Sequence, residues 1–358
     1  MSKIIQFTAK NPVQSQDDRY GALVSGFASN RRFGDDVFWL KENAELLSIL
    51  EVTGAKLSQE TLAPMAGFYA NVEKRLGFFP QYYRFILSLC LDLEDIGMDG
   101  NKGEALVNWA ADEGLAQSEM SDLQRMEARR LMLRRGRDPL PADPGLEVRM
   151  GAFIERSEAF TMPNKKAAYE LTHTVFYLSE YGRKTLELGA GALQSLRFAG
   201  TLAWLDQNLD LVAEVCIALR YAGQQPPAIW ESWVEREMHS FTVQTGERAN
   251  VQDEYHEFFI CNWLASVSGG QAFTKRVAAE RMSFHRVPRA LAPLRTMSEC
   301  MFRLDDRRSA DWDAMRPLVT EGMDDAAQEV LGLAEQSCPD FDAFFAGFAR
   351  VGLRQAAI

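Results

Sequence analysis

The chain has 358 residues, 47% of them apolar and 25% charged, the balance of a folded globular protein rather than a disordered one. Acidic side chains outnumber basic ones by 50 to 39, and the resulting net charge of −11 argues against nucleic acid or an anionic membrane surface as partner. No apolar run approaches the length of a membrane span, and no P-loop, dinucleotide fingerprint, G-x-S-x-G or H-E-x-x-H string occurs.

The chain opens on MSKIIQFTAKNPVQSQDDRY, which has neither the apolar core nor the cleavage site of a signal peptide. Five cysteines stand at 90, 216, 261, 300 and 338 with no C-x-x-C pair among them. That scattered, odd set reads as reduced, buried thiols in a cytoplasmic protein.

From there on, apolar residues recur at spacings of three and four, as in Leu46, Leu47, Leu50 and in Leu171, Val175, Leu178. Alternating β-branched runs are essentially absent, so the expected fold class is all-α. Start signals stand at Ser58 before QET, at Ser118 before EMSD and at Asp143–Pro144.

Six apolar segments each end at a glycine, the residue best suited to close a helix in the left-handed conformation. They are LLSILEVTG to Gly54, ILSLCLDLEDIG to Gly97, EARRLMLRRG to Gly136, THTVFYLSEYG to Gly182, AEVCIALRYAG to Gly223 and FFICNWLASVSG to Gly269. Each interval has room for one more amphipathic helix, such as GALQSLRFAGTLAWLD or AIWESWVEREMHSF. The expected architecture is therefore a set of helical hairpins of about 43 residues, closed as an α/α toroid in preference to an open solenoid or an irregular bundle. Residues 1–34 read as an N-terminal extension and 35–304 as the hairpin-repeat domain. Residues 305–358 read as closing or capping helices of the same domain, built from DAAQEVLGLAEQ and FDAFFAGFARVGL.

Counting nine residues back from each glycine gives Glu45, Ser88, Glu127, His173, Glu214 and Ile260. Aligning DEYHEFFICNWL over ELTHTVFYLSEY instead sets His256 opposite His173. Polar residues at a repeated core-facing position need a partner, and a shared aqueous or metal-containing centre supplies one. Two histidines and a carboxylate are a common open ligand set for zinc or iron, so His173, Glu214 and His256 are the expected ligands of one divalent metal. Glu170 and Asp253, each three residues before a histidine, and Glu127 are candidates for orienting those ligands or for acting as a general base. Tyr177, one turn after His173, could donate a hydrogen bond.

The expected function is a metal-dependent hydrolase or lyase acting on a small polar molecule in a central funnel. Two rivals stand beside it: a metal-free lyase or epimerase using the two histidines as base and acid, and a non-catalytic scaffold that binds a protein or peptide. The arginine-rich segments 125–137 and 281–295, and His285 within the second, suit either an anion or pairing with acidic neighbours, and His239 reads as a surface residue.

THTVFYLSEYG and DEYHEFF resemble segments of uncharacterised bacterial all-helical proteins. The hairpin pattern over residues 35–270 resembles in outline the α/α-toroid class, which includes lanthionine cyclases with zinc in the ring and N-acylglucosamine epimerases with a histidine pair. The likeness is architectural, and the cyclase cysteine ligands have no counterpart here.

Overall fold

Helix-forming periodicity becomes helix along nearly the whole chain. The computed structural model describes residues 14–32, 36–287 and 292–351. The helices are α1 (Gln16–Ser29), α2 (Val37–Val52), α3 (Gln59–Leu62), α4 (Ala66–Ala70), α5 (Val72–Phe78), α6 (Tyr83–Ile96) and α7 (Lys102–Asp112). Next come α8 (Asp122–Leu133), α9 (Leu146–Ile154), α10 (Lys165–Leu178), α11 (Ala190–Leu205), α12 (Leu209–Tyr221), α13 (Ala228–Ser240) and α14 (Tyr255–Val267). The last described helices are α15 (Pro293–Leu304), α16 (Trp312–Thr320), α17 (Asp325–Ser337) and α18 (Phe341–Ala349).

Side-chain caps set several of these starts. Ser15 and Asp18 form a reciprocal capping box on α1, and Asp36, Ser58, Asn164 and Asn208 cap α2, α3, α10 and α12. Ser118 does not begin a helix: its hydroxyl turns back to the Gly114 carbonyl, and α8 starts at Asp122. At the other ends Gly54, Gly97, Gly136, Gly182, Gly223 and Gly269 all have φ between 69° and 134°. The six glycine-terminated helices are α2, α6, α8, α10, α12 and α14. Each packs on the next, and α14 also packs on α2. A second helix, or in the case of α3–α5 a series of short turns broken by Pro64 and Pro80, precedes each of them.

The most enclosed of the six is α12. Every residue from Leu209 to Leu219 is buried, because α10, α11, α13 and α14 surround it. A helix apolar on all sides belongs in a core, and each fully buried Leu or Val there contributes roughly 1.5–3 kcal/mol. Asp210 in its first turn and Glu214 in its middle are the exceptions that call for partners.

Two short strands depart from the all-helical expectation. β1 (Thr242–Thr245) and β2 (Met282–His285) pair antiparallel, with Thr242 opposite His285 and Thr245 opposite Met282. At four residues each, neither run is long enough to show an alternating pattern. Between them runs α14, and Phe284 stacks on Phe258 at 4.6 Å.

Residues 14–32, within the stretch read as an extension, carry α1, whose Leu23, Val24 and Phe27 are fully buried. The C-terminal segment holds one helix more than the two expected, namely α16. The segment packs against α11 and α13 through α17, with Trp204 Nε1 donating to the Val330 carbonyl at 2.9 Å and Trp230 Nε1 to Ser337 Oγ at 3.0 Å. All five cysteines are buried and free. Among the described residues no helix is long and apolar enough to cross a membrane.

Candidate functional site

A cavity of about 480 Å³ opens among the six glycine-terminated helices. Its wall includes Glu45 of α2, Ser88 of α6, Glu127 of α8, His173 of α10, Glu214 of α12, and both His256 and Ile260 of α14. Lys41, Tyr169 and Asp210 line it as well, each one turn before a residue already named. Aromatic faces come from Phe85, Phe176, Tyr181 and Trp263.

The polar groups form two linked clusters. His256 sits between two carboxylates: Nδ1 is 2.6 Å from Glu45 Oε1, and Nε2 is 3.4 Å from Asp210 Oδ2. Tyr169 donates its phenolic proton to the same Asp210 oxygen at 2.6 Å. Burial alone would lower the His256 pKa, but the charge of Glu45 and the hydrogen bond to Asp210 outweigh it and push the pKa well above the ordinary value. Burial alone would raise the Asp210 pKa, yet its bonds from His256 and Tyr169 hold it below the usual carboxylate value. Asp210 also lies in the first turn of α12, where the helix dipole favours negative charge.

In the second cluster His173 Nε2 lies 3.7 Å from Glu214 Oε1, while Glu214 Oε2 accepts the Thr172 hydroxyl at 2.5 Å. The side chain of His173 is 39% exposed and that of Glu214 only 2%. The imidazole therefore faces the cavity with a buried carboxylate behind it. Burial lowers its pKa, but the charge of Glu214 more than compensates and leaves it raised. Glu127 pairs with Arg84, which also holds Glu119 at 2.9 Å.

The other candidates read from the sequence lie elsewhere. Glu170 points away from His173; its carboxylate is 3.8 Å from Lys166 and lines a separate cleft with Arg149 and Arg156. Asp253 does not touch His256. Both its oxygens bond Arg31 at 2.9 Å, and one also accepts the Phe284 N–H at 2.7 Å. Tyr177 is buried with its ring 6.0 Å from that of His173, and it does not contribute to the cavity wall. The groups that do position the histidines are Glu45, Asp210 with Tyr169, and Glu214 with Thr172.

Both arginine-rich segments are engaged with the protein's own groups. Arg129, Arg134, Arg135 and Arg137 pair with Asp138, Asp92, Glu94 and Asp112 at 2.7–2.8 Å, and Arg286 pairs with Glu257 at 3.0 Å. Arg130 instead lies over the Tyr181 ring at 4.3 Å. Arg289 falls outside the described residues. His285 faces Glu254 at 3.6 Å, and His239 lines a cleft beside Cys261.

The residues fit a metal poorly as they stand. A ligating imidazole presents one nitrogen to the ion and gives the other to a hydrogen-bond partner, whereas both nitrogens of His256 face carboxylates. Among the described residues no group of three or more His, Cys, Asp or Glu side chains is placed to hold a metal ion. The set His173, Glu214 and His256 lines one cavity but does not form a ligand cluster.

The fold and cavity define a predominantly helical protein with an ion-paired histidine site. The chain matches, over residues 1–351, the family described as a domain of unknown function, DUF6902, and it belongs to that family. No curated protein and no solved structure matches it.

Proposed function

We propose that α2, α6, α8, α10, α12 and α14 are the inner ring of an α/α toroid, and that their central cavity carries out metal-free acid–base chemistry on a small polar molecule. The ring reading is supported by the order of helix packing, with α14 meeting α2, and by the common glycine terminus of all six helices. The observation that carries the chemical reading is the opening of His173 and His256, distant in the sequence, onto one cavity, each backed by carboxylates. A volume of about 480 Å³ suits a small molecule.

In this reading His173 is the base. Glu214 orients its ring and stabilises the imidazolium once a proton has been taken from the substrate. His256 is a fixed cation. Its contact with Asp210, at 3.4 Å, is the looser of its two, so a substrate oxygen can replace Asp210 there and receive a hydrogen bond or a proton. One group removing a proton and another delivering one is the requirement of a lyase or an epimerase.

The test compares wild-type protein with His173→Gln and His256→Gln on a small-molecule extract containing a chelator, followed by mass spectrometry. Compounds consumed by the wild type and untouched by either variant are the expected result. Profiles identical for wild type and variants would overturn the catalytic reading and favour a binding scaffold. Near-stoichiometric zinc or iron in the purified protein, lost in His173→Ala, would replace it with the metal-dependent one.

A further inference from the structure

A second cavity, of about 700 Å³, lies at the glycine-terminated ends of α2, α10, α12 and α14. It shares two wall residues with the central cavity, Val52 and Tyr181. A hydrogen bond crosses between the two walls as well: Trp263, which lines the central cavity, donates from Nε1 to the hydroxyl of Tyr221, which lines the second, at 3.1 Å.

Tyr181 is held at this boundary in an unusual way. It follows the end of α10 in left-handed backbone, φ 54°, between Glu180 at 47° and Gly182 at 81°. Side chains with a β-carbon adopt that conformation at a cost, and such strain persists where the surroundings hold the residue in place. Here they do so from several directions. The ring stacks on Phe176 at 5.8 Å, leans on Trp263 at 5.7 Å, and lies under the buried Arg130 guanidinium at 4.3 Å. Arg130 comes from the arginine-rich block and, alone among the members just described, meets an aromatic ring rather than a carboxylate. A glycine at 181 would accept this backbone more readily.

We propose that Tyr181 is the specificity-determining partition of the chamber: its ring closes the inner end of the central cavity and limits the length of molecule that reaches His173 and His256. The inference rests on the reading of the central cavity as a substrate chamber. It names the substrate class as short, compact polar molecules and excludes extended ones. Removing the ring joins the two cavities into one passage.

The test uses protein with ¹⁵N-labelled tryptophan, observing the Trp263 indole N–H while diethylene glycol or hexaethylene glycol is added as a short or a long linear probe. Tyr181→Gly removes the ring and relaxes the backbone, and the dispersion of its labelled indole signals shows that the variant is folded; Tyr181→Phe keeps the ring without its hydroxyl. In Tyr181→Gly the long glycol should shift the Trp263 signal with an affinity roughly tenfold above that for wild type, while Tyr181→Phe behaves as wild type. Equal responses to the long probe in wild type and Tyr181→Gly overturn the proposal. So does the absence of any response in a Tyr181→Gly protein whose melting temperature matches wild type. Glycol binding needs no turnover, so this outcome is independent of whether the histidines carry chemistry.

Discussion

His256 has a pKa pushed well above the ordinary histidine value, because Glu45 and Asp210 face its two nitrogens. Its raised folded-state pKa has a definite consequence for stability. The unfolded imidazole titrates near about 6.5, so the favourable linkage is fully present below that pH and is lost as pH rises through the higher folded midpoint. An NMR titration should find His256 protonated beyond the range of an ordinary histidine, and Glu45→Gln should bring the midpoint down. Coincident midpoints in the two proteins would contradict the ion-pair account. Asp253 belongs to a different economy. Its side chain and that of Arg31 are fully buried and bonded to each other, so Asp253→Asn leaves the guanidinium short of a charge partner and should cost about 3 kcal/mol or more. Chemical denaturation measures this, and a loss well under 1 kcal/mol would contradict it. The cavity-lining histidines are legible in the sequence but their partners are not, for a geometric reason. Carboxylates three residues upstream, Glu170 and Asp253, do not meet the histidines, whereas the lined face follows the four-residue step of Lys41–Glu45, Tyr169–His173 and Asp210–Glu214. Asp253 moreover precedes the first turn of α14, where helical spacing does not apply.

At the scale of the element, the glycine stops were the most legible feature, since a left-handed terminus leaves a one-letter signature after an apolar run. They are not equivalent in packing, however. A β-carbon at Gly54 would meet nothing within 4 Å, whereas one at Gly97 would come within 2.5 Å of the Leu57 backbone oxygen. Gly54→Ala should therefore cost only the left-handed backbone penalty, about 1–2 kcal/mol, and Gly97→Ala distinctly more, because a backbone oxygen cannot rotate away. Equal losses in denaturant midpoint would refute that distinction. The strands were not legible, since MSFH and TVQT carry no periodicity and are paired only because the chain around α14 brings them together. The buried helix α12 was legible as apolar, but its burial on every side depends on neighbours from four other helices.

At the scale of the whole molecule, the claim is that residues remote in the sequence act as one site. Ion pairs reinforce the assembly where α14 meets the start of the chain: Arg31 links Glu42 of α2 to Asp253 before α14, and His256 links Glu45 of α2 to Asp210 of α12. Convergence of this kind cannot be read from any local motif, since none of the six helices contains the site by itself. It depends on how the helices pack, which brings residues from all six to one cavity. If the two imidazoles share that space, each feels the other's charge. The most direct measurement is the titration of His173, followed by NMR in wild type and in His256→Gln. Removing the neighbouring cation, and leaving Glu45 and Asp210 without it, should move the His173 midpoint upward; a titration curve unchanged by the substitution would contradict a common chamber.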